Sequence, residues 1–249
     1  ALTDAGLDDQ QIVDIFAGSG IEIEELEPVD DARQGVAALV TIVLYLLLLL
    51  LSTNVANGVA NEKSNRVSEV LLANVPARHL LFGKVIGVAI VGVVSLVAGA
   101  LPVIIRVLAG GSLPEGTGAT LAGSAAWFVM GLALYLTAAG ALGALVDRQE
   151  EVGATVAPLS TVLIAAYLVA VTSPDSPLAT VLAYVPFTSP MVMPARIALG
   201  VASGAEMAIS LALGVVTVIA IARLASLVYA RAIVRTGRKV RLRQILRPT

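Results

Sequence analysis

The sequence predicts an all-α integral membrane protein with five transmembrane helices in its 249 residues. Three observations carry that prediction. The composition is 57% hydrophobic and 14% charged, with a mean hydropathy of +0.91, which no ordinary soluble domain of this length shows. The apolar residues, mostly Leu, Val, Ala, Ile and Gly, come in blocks near the roughly 20 residues that a hydrocarbon core demands. The polar stretches between the blocks segregate their charges, so the formal net charge of −2 conceals an alternation of basic and acidic segments.

Residues 1–35 are a different material. Asp8 suits the N-cap of a short helix through Ala17, with Gly18 as its stop, and Ile21-Glu-Ile-Glu24 alternates like a short strand. This reads as the C-terminal remnant of an extracytoplasmic domain; the competing reading is an acidic leader without structure. The chain begins at Ala1 rather than Met, and we expect a fragment or a processed product.

The five spans are expected at about 36–59, 85–109, 121–146, 152–172 and 207–230. The first is the least ambiguous, with no charge from Val36 to Leu51 and six consecutive leucines at its end. None has the N-terminal position or basic start of a cleaved signal peptide.

Charge orients the spans, because Lys and Arg accumulate on the cytoplasmic side. Lys63, Arg66, Arg78 and Lys84 lie between the first two spans, Arg148 between the third and fourth, and Arg231, Arg235, Arg238, Lys239, Arg241, Arg243 and Arg247 in the tail 231–249. Five crossings place all of these on one face. The opposite face receives the acidic N-terminus, the Gly-rich loop at 110–118 and a Pro-rich stretch at 173–206. The reading is a multi-pass cell-membrane protein with the N-terminus outside and the C-terminus cytoplasmic.

The polar segment 60–84 is the most informative part of the chain. Read as a helix, it puts Glu62, Arg66 and Glu69 on one face at spacings of four and three, each pair worth roughly 0.2–0.5 kcal/mol. Val67, Val70 and Leu71 form the opposite stripe, and Pro76 ends the helix. Charge pattern alone fits a partner-binding helix and a solvated juxtamembrane helix equally. Lys84, where the chain returns to the bilayer, suits a headgroup anchor, as do Arg106 and Arg223 near the ends of their spans. A guanidinium at mid-bilayer would cost roughly 2.5–3.5 kcal/mol, and these two can reach an interface.

Pro174, Pro177, Pro186, Pro190 and Pro194 preclude one continuous helix over 173–206, although the residues between them are largely apolar. Short re-entrant helices on the outer side satisfy this if protein shields their backbone; the alternative is an amphipathic surface loop. Gly83 and Gly87, and Gly140 and Ala144, have the small-residue spacing that lets helices approach closely, and packing is the role assigned to them. The single histidine, His79, reads as a surface residue, and the basic tail as a contact for anionic lipid rather than nucleic acid.

Several chemistries are excluded. With no cysteine there are neither disulfides nor thiolate sites, and one histidine makes no His-based metal site. Gly83-Lys84 lacks the upstream glycine and following Ser/Thr of a phosphate-binding P-loop, so ATP is not hydrolysed by this chain. No Asp or Glu lies inside the expected spans, which disfavours a secondary transporter, and no His–Glu or Ser–Lys pair there suits an intramembrane protease.

The segment Val59-Ala-Asn-Glu-Lys-Ser-Asn-Arg-Val-Ser-Glu-Val-Leu-Leu-Ala-Asn-Val-Pro76, followed by Leu80-Leu-Phe-Gly-Lys-Val-Ile-Gly87, resembles the cytoplasmic coupling segment of ABC type-2 exporter permeases, closest to the NatB-like sodium-export branch. Tyr184-Val-Pro-Phe-Thr-Ser-Pro-Met-Val-Met-Pro-Ala-Arg196 resembles the Pro-rich outer loop of the same family. The resemblance covers residues 36–230 and implies a sixth, N-terminal span and a large outer domain in the full chain.

It further implies a dimeric permease, as a homodimer or with a related subunit, docked on a separate nucleotide-binding ATPase that holds ATP and Mg. A cytoplasmic coupling helix around Glu62 to Leu72 would seat in that ATPase through Glu62, Arg66 and Glu69, with Lys63 as a further contact. Pro186, Phe187, Ser189, Pro190, Pro194 and Arg196 would build the outer gate. Partners are thus the ATPase, a second permease and membrane lipid; no cofactor resides in this chain, and the substrate is sodium, a drug or a lipid-like compound. A non-transporting scaffold with a cytoplasmic partner-binding helix is the competing function.

Overall fold

The computed structural model describes residues 31–65, 71–110 and 117–233. The chain divides into units 1–31 and 32–249, and the architecture below is that of the second. The helix expected at Asp8–Ala17, the strand at Ile21–Glu24, Arg66, Glu69 and the tail beyond Ile233 lie outside the described residues, as does the side chain of Arg106.

The described residues form seven α-helices and one short 3₁₀ turn, without strands: α1 Asp31–Ser64, α2 Ala77–Leu108, α3 Thr117–Gly143, the 3₁₀ turn Gln149–Glu151, α4 Val152–Thr172, α5 Pro177–Tyr184, α6 Ser189–Ala198 and α7 Gly204–Ala232. Five of them, α1, α2, α3, α4 and α7, are long and apolar enough to cross a membrane. α4 coincides with its expected span.

The first two spans run further into the polar segment than expected. α1 continues through Glu62 and Lys63 to Ser64, and the Asn65 N–H still bonds to the Asn61 carbonyl at 3.0 Å. Hydropathy falls at Val59, but a helix ends where its backbone bonding ends, and here that is in the polar segment. α2 begins directly after Pro76, whose carbonyl accepts from His79 and Leu80, so Arg78 to Lys84 form its first turns. The coupling helix expected to start at Glu62 is therefore not separate at that end: Glu62 and Lys63 belong to the last turn of a span. α3 stops at Gly143, three residues early, with Ala144 and Leu145 bonding back to Gly140 and Leu142.

α3 is the axis of the bundle. Of its most apolar stretch 67% is buried inside the chain, against 33% or less in each of the other four spans. It packs on α7, α6 and α2, and contributes Phe128, Leu132, Leu134, Tyr135 and Leu136 to a core completed by Leu44, Leu48, Met191 and Val192. Tyr45 of α1 stacks on Tyr167 of α4 with centroids 4.8 Å apart. The outer spans keep one apolar face exposed, as elements bathed in lipid do. Gly83 and Gly87 lie on such open surface, with nothing among the described residues within 4 Å of a built Cβ, so the close helix contact expected there is not made among those residues.

Candidate functional site

At the end of the bundle where α1 leaves and α2 returns, two glycines set the spacing. A Cβ on Gly143 would lie 2.5 Å from the Ala56 carbonyl oxygen, so α1 and α3 meet backbone to backbone. A Cβ on Gly58 would lie 3.1 Å from Lys84 Nζ, so Gly58 leaves room for the lysine to cross α1. Lys84 Nζ then reaches Glu62 Oε1 at 2.6 Å, tying the last turn of α1 to the start of α2.

The neighbouring lysine turns the other way. Lys63 is 1% exposed; its ammonium donates to the Ala144 carbonyl at 2.8 Å and pairs with Asp147 Oδ1 at 2.8 Å. Burying a cation is tolerable only with such partners. The sequence reading grouped Lys63 with the ATPase contacts; the structure engages it inside the chain. Lys84, expected as a headgroup anchor, is paired with Glu62. Glu62 remains partly exposed, while Arg66 and Glu69 fall outside the described residues. Leu71 is exposed beyond them, as are Arg78 and His79.

Beside these ion pairs lies a cleft of about 510 Å3 lined by Ser64, Asp147, Arg148, Gln149 and Glu150. A second, of about 340 Å3, runs along α1 past Thr53, Asn54, Asn57 and Asn61 to Gln149. Charge alone does not single out this amide strip in the sequence. The signal was present, because 54, 57 and 61 recur at spacings of three and four inside an otherwise apolar helix.

At the other end, α5 and α6 form a helical hairpin that folds back along α3. Its turn sits against Tyr135, whose hydroxyl donates to the Phe187 carbonyl at 2.5 Å and whose ring meets Phe187 edge-on at 5.6 Å. A Cβ on Gly131 would come within 3.0 Å of Pro190, and one on Gly123 within 2.7 Å of Ile197, so α6 climbs back up α3 from the turn. Tyr135 is 18 residues into α3, about 27 Å along its axis, which puts the turn deep in the bundle.

Four of the prolines have a place in this hairpin. Pro177 opens α5 behind the Ser176 cap, Pro186 lies in the turn, Pro190 opens α6 and Pro194 lies inside it. Freed backbone groups find partners: Thr188 Oγ1 donates to Leu182 and Val185, and Ser189 Oγ to the Pro186 carbonyl. That satisfies the rule that irregular backbone at membrane depth must be shielded by protein. The surface-loop alternative fails, because every residue of α6 except Ile197 is buried.

Of the expected gate residues, Ser189, Pro190, Pro194 and Arg196 are buried and Pro186 and Phe187 partly so. Arg196 is no exposed cation. It donates to the Pro174 carbonyl at 2.9 Å and lies 3.5 Å from Glu206 Oε2, while Glu206 and Ser203 cap α7 reciprocally. On the same side Trp127 Nε1 donates to Ser210 Oγ, which donates to the Ala183 carbonyl, joining α3, α7 and α5. Arg223 stands exposed on α7. Among the described residues, no three His, Asp or Glu side chains cluster as a metal site would need.

A family model described as ABC-2 family transporter protein matches residues 9–227. Among curated proteins, the uncharacterized protein YhaP of Bacillus subtilis (strain 168) is 27% identical over 210 residues, which cover 78% of this chain and 50% of that protein. The uncharacterized protein MJ1024 of Methanocaldococcus jannaschii is 28% identical over 182 residues, covering 71% of this chain and 44% of that protein. The chain thus spans about half the length of the curated relatives it matches. No solved structure matches it.

Proposed function

This chain belongs to the ABC-2 family of transporter proteins, and on that premise we propose that it is permease of an ATP-driven exporter of the NatB-like branch, driven by a separate ABC ATPase that binds ATP and Mg. The carrying observation is the mechanical linkage at the end of α1. Glu62–Lys84 and Lys63–Asp147 fasten the last turn of α1, which leads into the segment between α1 and α2, to α2 and to the α3–α4 turn. A push on that segment therefore reaches four spans together.

In this reading the linkage lies on the cytoplasmic side, with the acidic N-terminal residues outside and the basic tail inside. Residues 1–35 end an extracytoplasmic domain, 36–230 form the permease, and two permeases pair. Residues 60–84 carry the coupling segment: Glu62, Arg66 and Glu69 meet the ATPase, and the buried Lys63 acts behind them as a brace. The hairpin α5–α6 is the outer gate, and the cargo is sodium, a drug or a lipid-like compound.

Co-purification tests this reading. The intact protein is expected to retain a stoichiometric ATP-binding subunit that Glu62→Ala/Arg66→Ala/Glu69→Ala loses. Retention by both would move the contact elsewhere, and no ATPase in either would leave the scaffold as the function.

A further inference from the structure

The outward face of α7 is an apolar stripe interrupted once. Val216, Ile219, Arg223 and Leu227 recur at spacings of three and four, and the three apolar members are 65%, 48% and 54% exposed. Between this stripe and the start of α2 runs a groove of about 570 Å3 lined by Phe82, Val218, Ile219, Arg223, Ser226 and Leu227. No carboxylate lines it, and Arg223 makes no hydrogen bond or ion pair with the described residues. Arg223 lies eight residues before Arg231 of the last turn, about 12 Å further into the bilayer.

A guanidinium on a lipid-facing surface needs an anion or water, because hydrocarbon offers neither. Within reach of a long side chain, the bilayer supplies the phosphodiester of its own lipids. The rest of the groove suits an acyl chain: it is apolar and shallow, largely open toward the lipid, and Phe82 walls one side.

We propose that the α2–α7 groove is a phospholipid site, in which Arg223 and Ser226 hold the phosphodiester and one acyl chain lies along Phe82, Ile219 and Leu227. The proposal needs only that α2 and α7 span the membrane; it does not depend on the exporter reading. Bound lipid would wedge the start of α2, beside Lys84, against α7, and so would sit next to the linkage described above.

Native mass spectrometry of the full-length protein, titrated with palmitoyl-oleoyl-phosphatidylglycerol, tests it. At matched lipid, occupancy of one phospholipid per chain is expected to fall about fivefold in Arg223→Ala, the scale of one basic residue at a membrane surface. Ser226→Phe, which fills the groove and leaves the charge, should lower it similarly, and Val216→Ala, outside the groove, should not. If Arg223→Ala does not assemble, Arg223→Gln carries the same expectation. Undiminished lipid in the Arg223 and Ser226 variants overturns the proposal. So does rapid disulfide formation between copies carrying Leu227→Cys in this cysteine-free chain, which would make the groove a contact between subunits.

Discussion

Lys63 Nζ lies 2.8 Å from Asp147 Oδ1, and this pair joins the last turn of α1 to the turn between α3 and α4. The two ends of the bond are unequal: Lys63 is 1% exposed and Asp147 28%. Asp147→Asn keeps an acceptor oxygen but removes the countercharge of a buried ammonium, and breaking a buried pair that way costs roughly 3–5 kcal/mol. Lys63→Met leaves no charge in the interior, and the Asp147 side chain, 28% exposed, stays at the surface, so the change should cost less, about 1 kcal/mol. Thermal unfolding in detergent is expected to rank Asp147→Asn well below Lys63→Met. The reverse order would mean that the pair contributes through the carboxylate alone.

The glycines divide into two kinds. A Cβ at Gly143 meets the backbone of Ala56, which cannot rotate away, whereas one at Gly83 or Gly87 meets nothing among the described residues. Gly143→Ala should therefore destabilise by about 3 kcal/mol through overpacking. Gly83→Ala and Gly87→Ala should stabilise by about 0.5–1 kcal/mol, since alanine loses less entropy in a helix. Unfolding midpoints of the three variants check this, and a midpoint lowered by Gly83→Ala would reveal a partner at that face.

The hairpin α5–α6 hangs on a hydroxyl. Tyr135→Phe keeps the ring against Phe187 but leaves a part-buried carbonyl without its donor, a cost of about 1 kcal/mol. Ser189, fully buried beside the turn, makes a reporter once changed to cysteine in the cysteine-free chain. Ser189→Cys should resist thiol reagents in the otherwise native protein and react faster when combined with Tyr135→Phe. Equal rates would show that the hairpin is held by packing alone.

The five spans were legible because hydrocarbon selects sequence by length and composition, a local property that a count of apolar residues measures. Their ends were less so. Lys63 could not be distinguished from Glu62 by composition, since the buried member of two adjacent charges is decided by Asp147 and Ala144, more than 80 residues away. The amide strip at Asn54, Asn57 and Asn61 is readable from its spacing but not from charge, since amides carry none.

By itself, the sequence determined that the protein is helical, that it has five apolar segments of membrane length, and that prolines break the stretch before α7. Only the tertiary structure decided that α3 is the axis, that the Pro-rich hairpin folds back into the bundle rather than lying on it, and that the two lysines flanking the polar segment are paired. The reason is physical. Transfer into lipid acts on each segment separately, whereas burial of a charge or an irregular turn depends on partners that only the folded bundle brings within 3 Å.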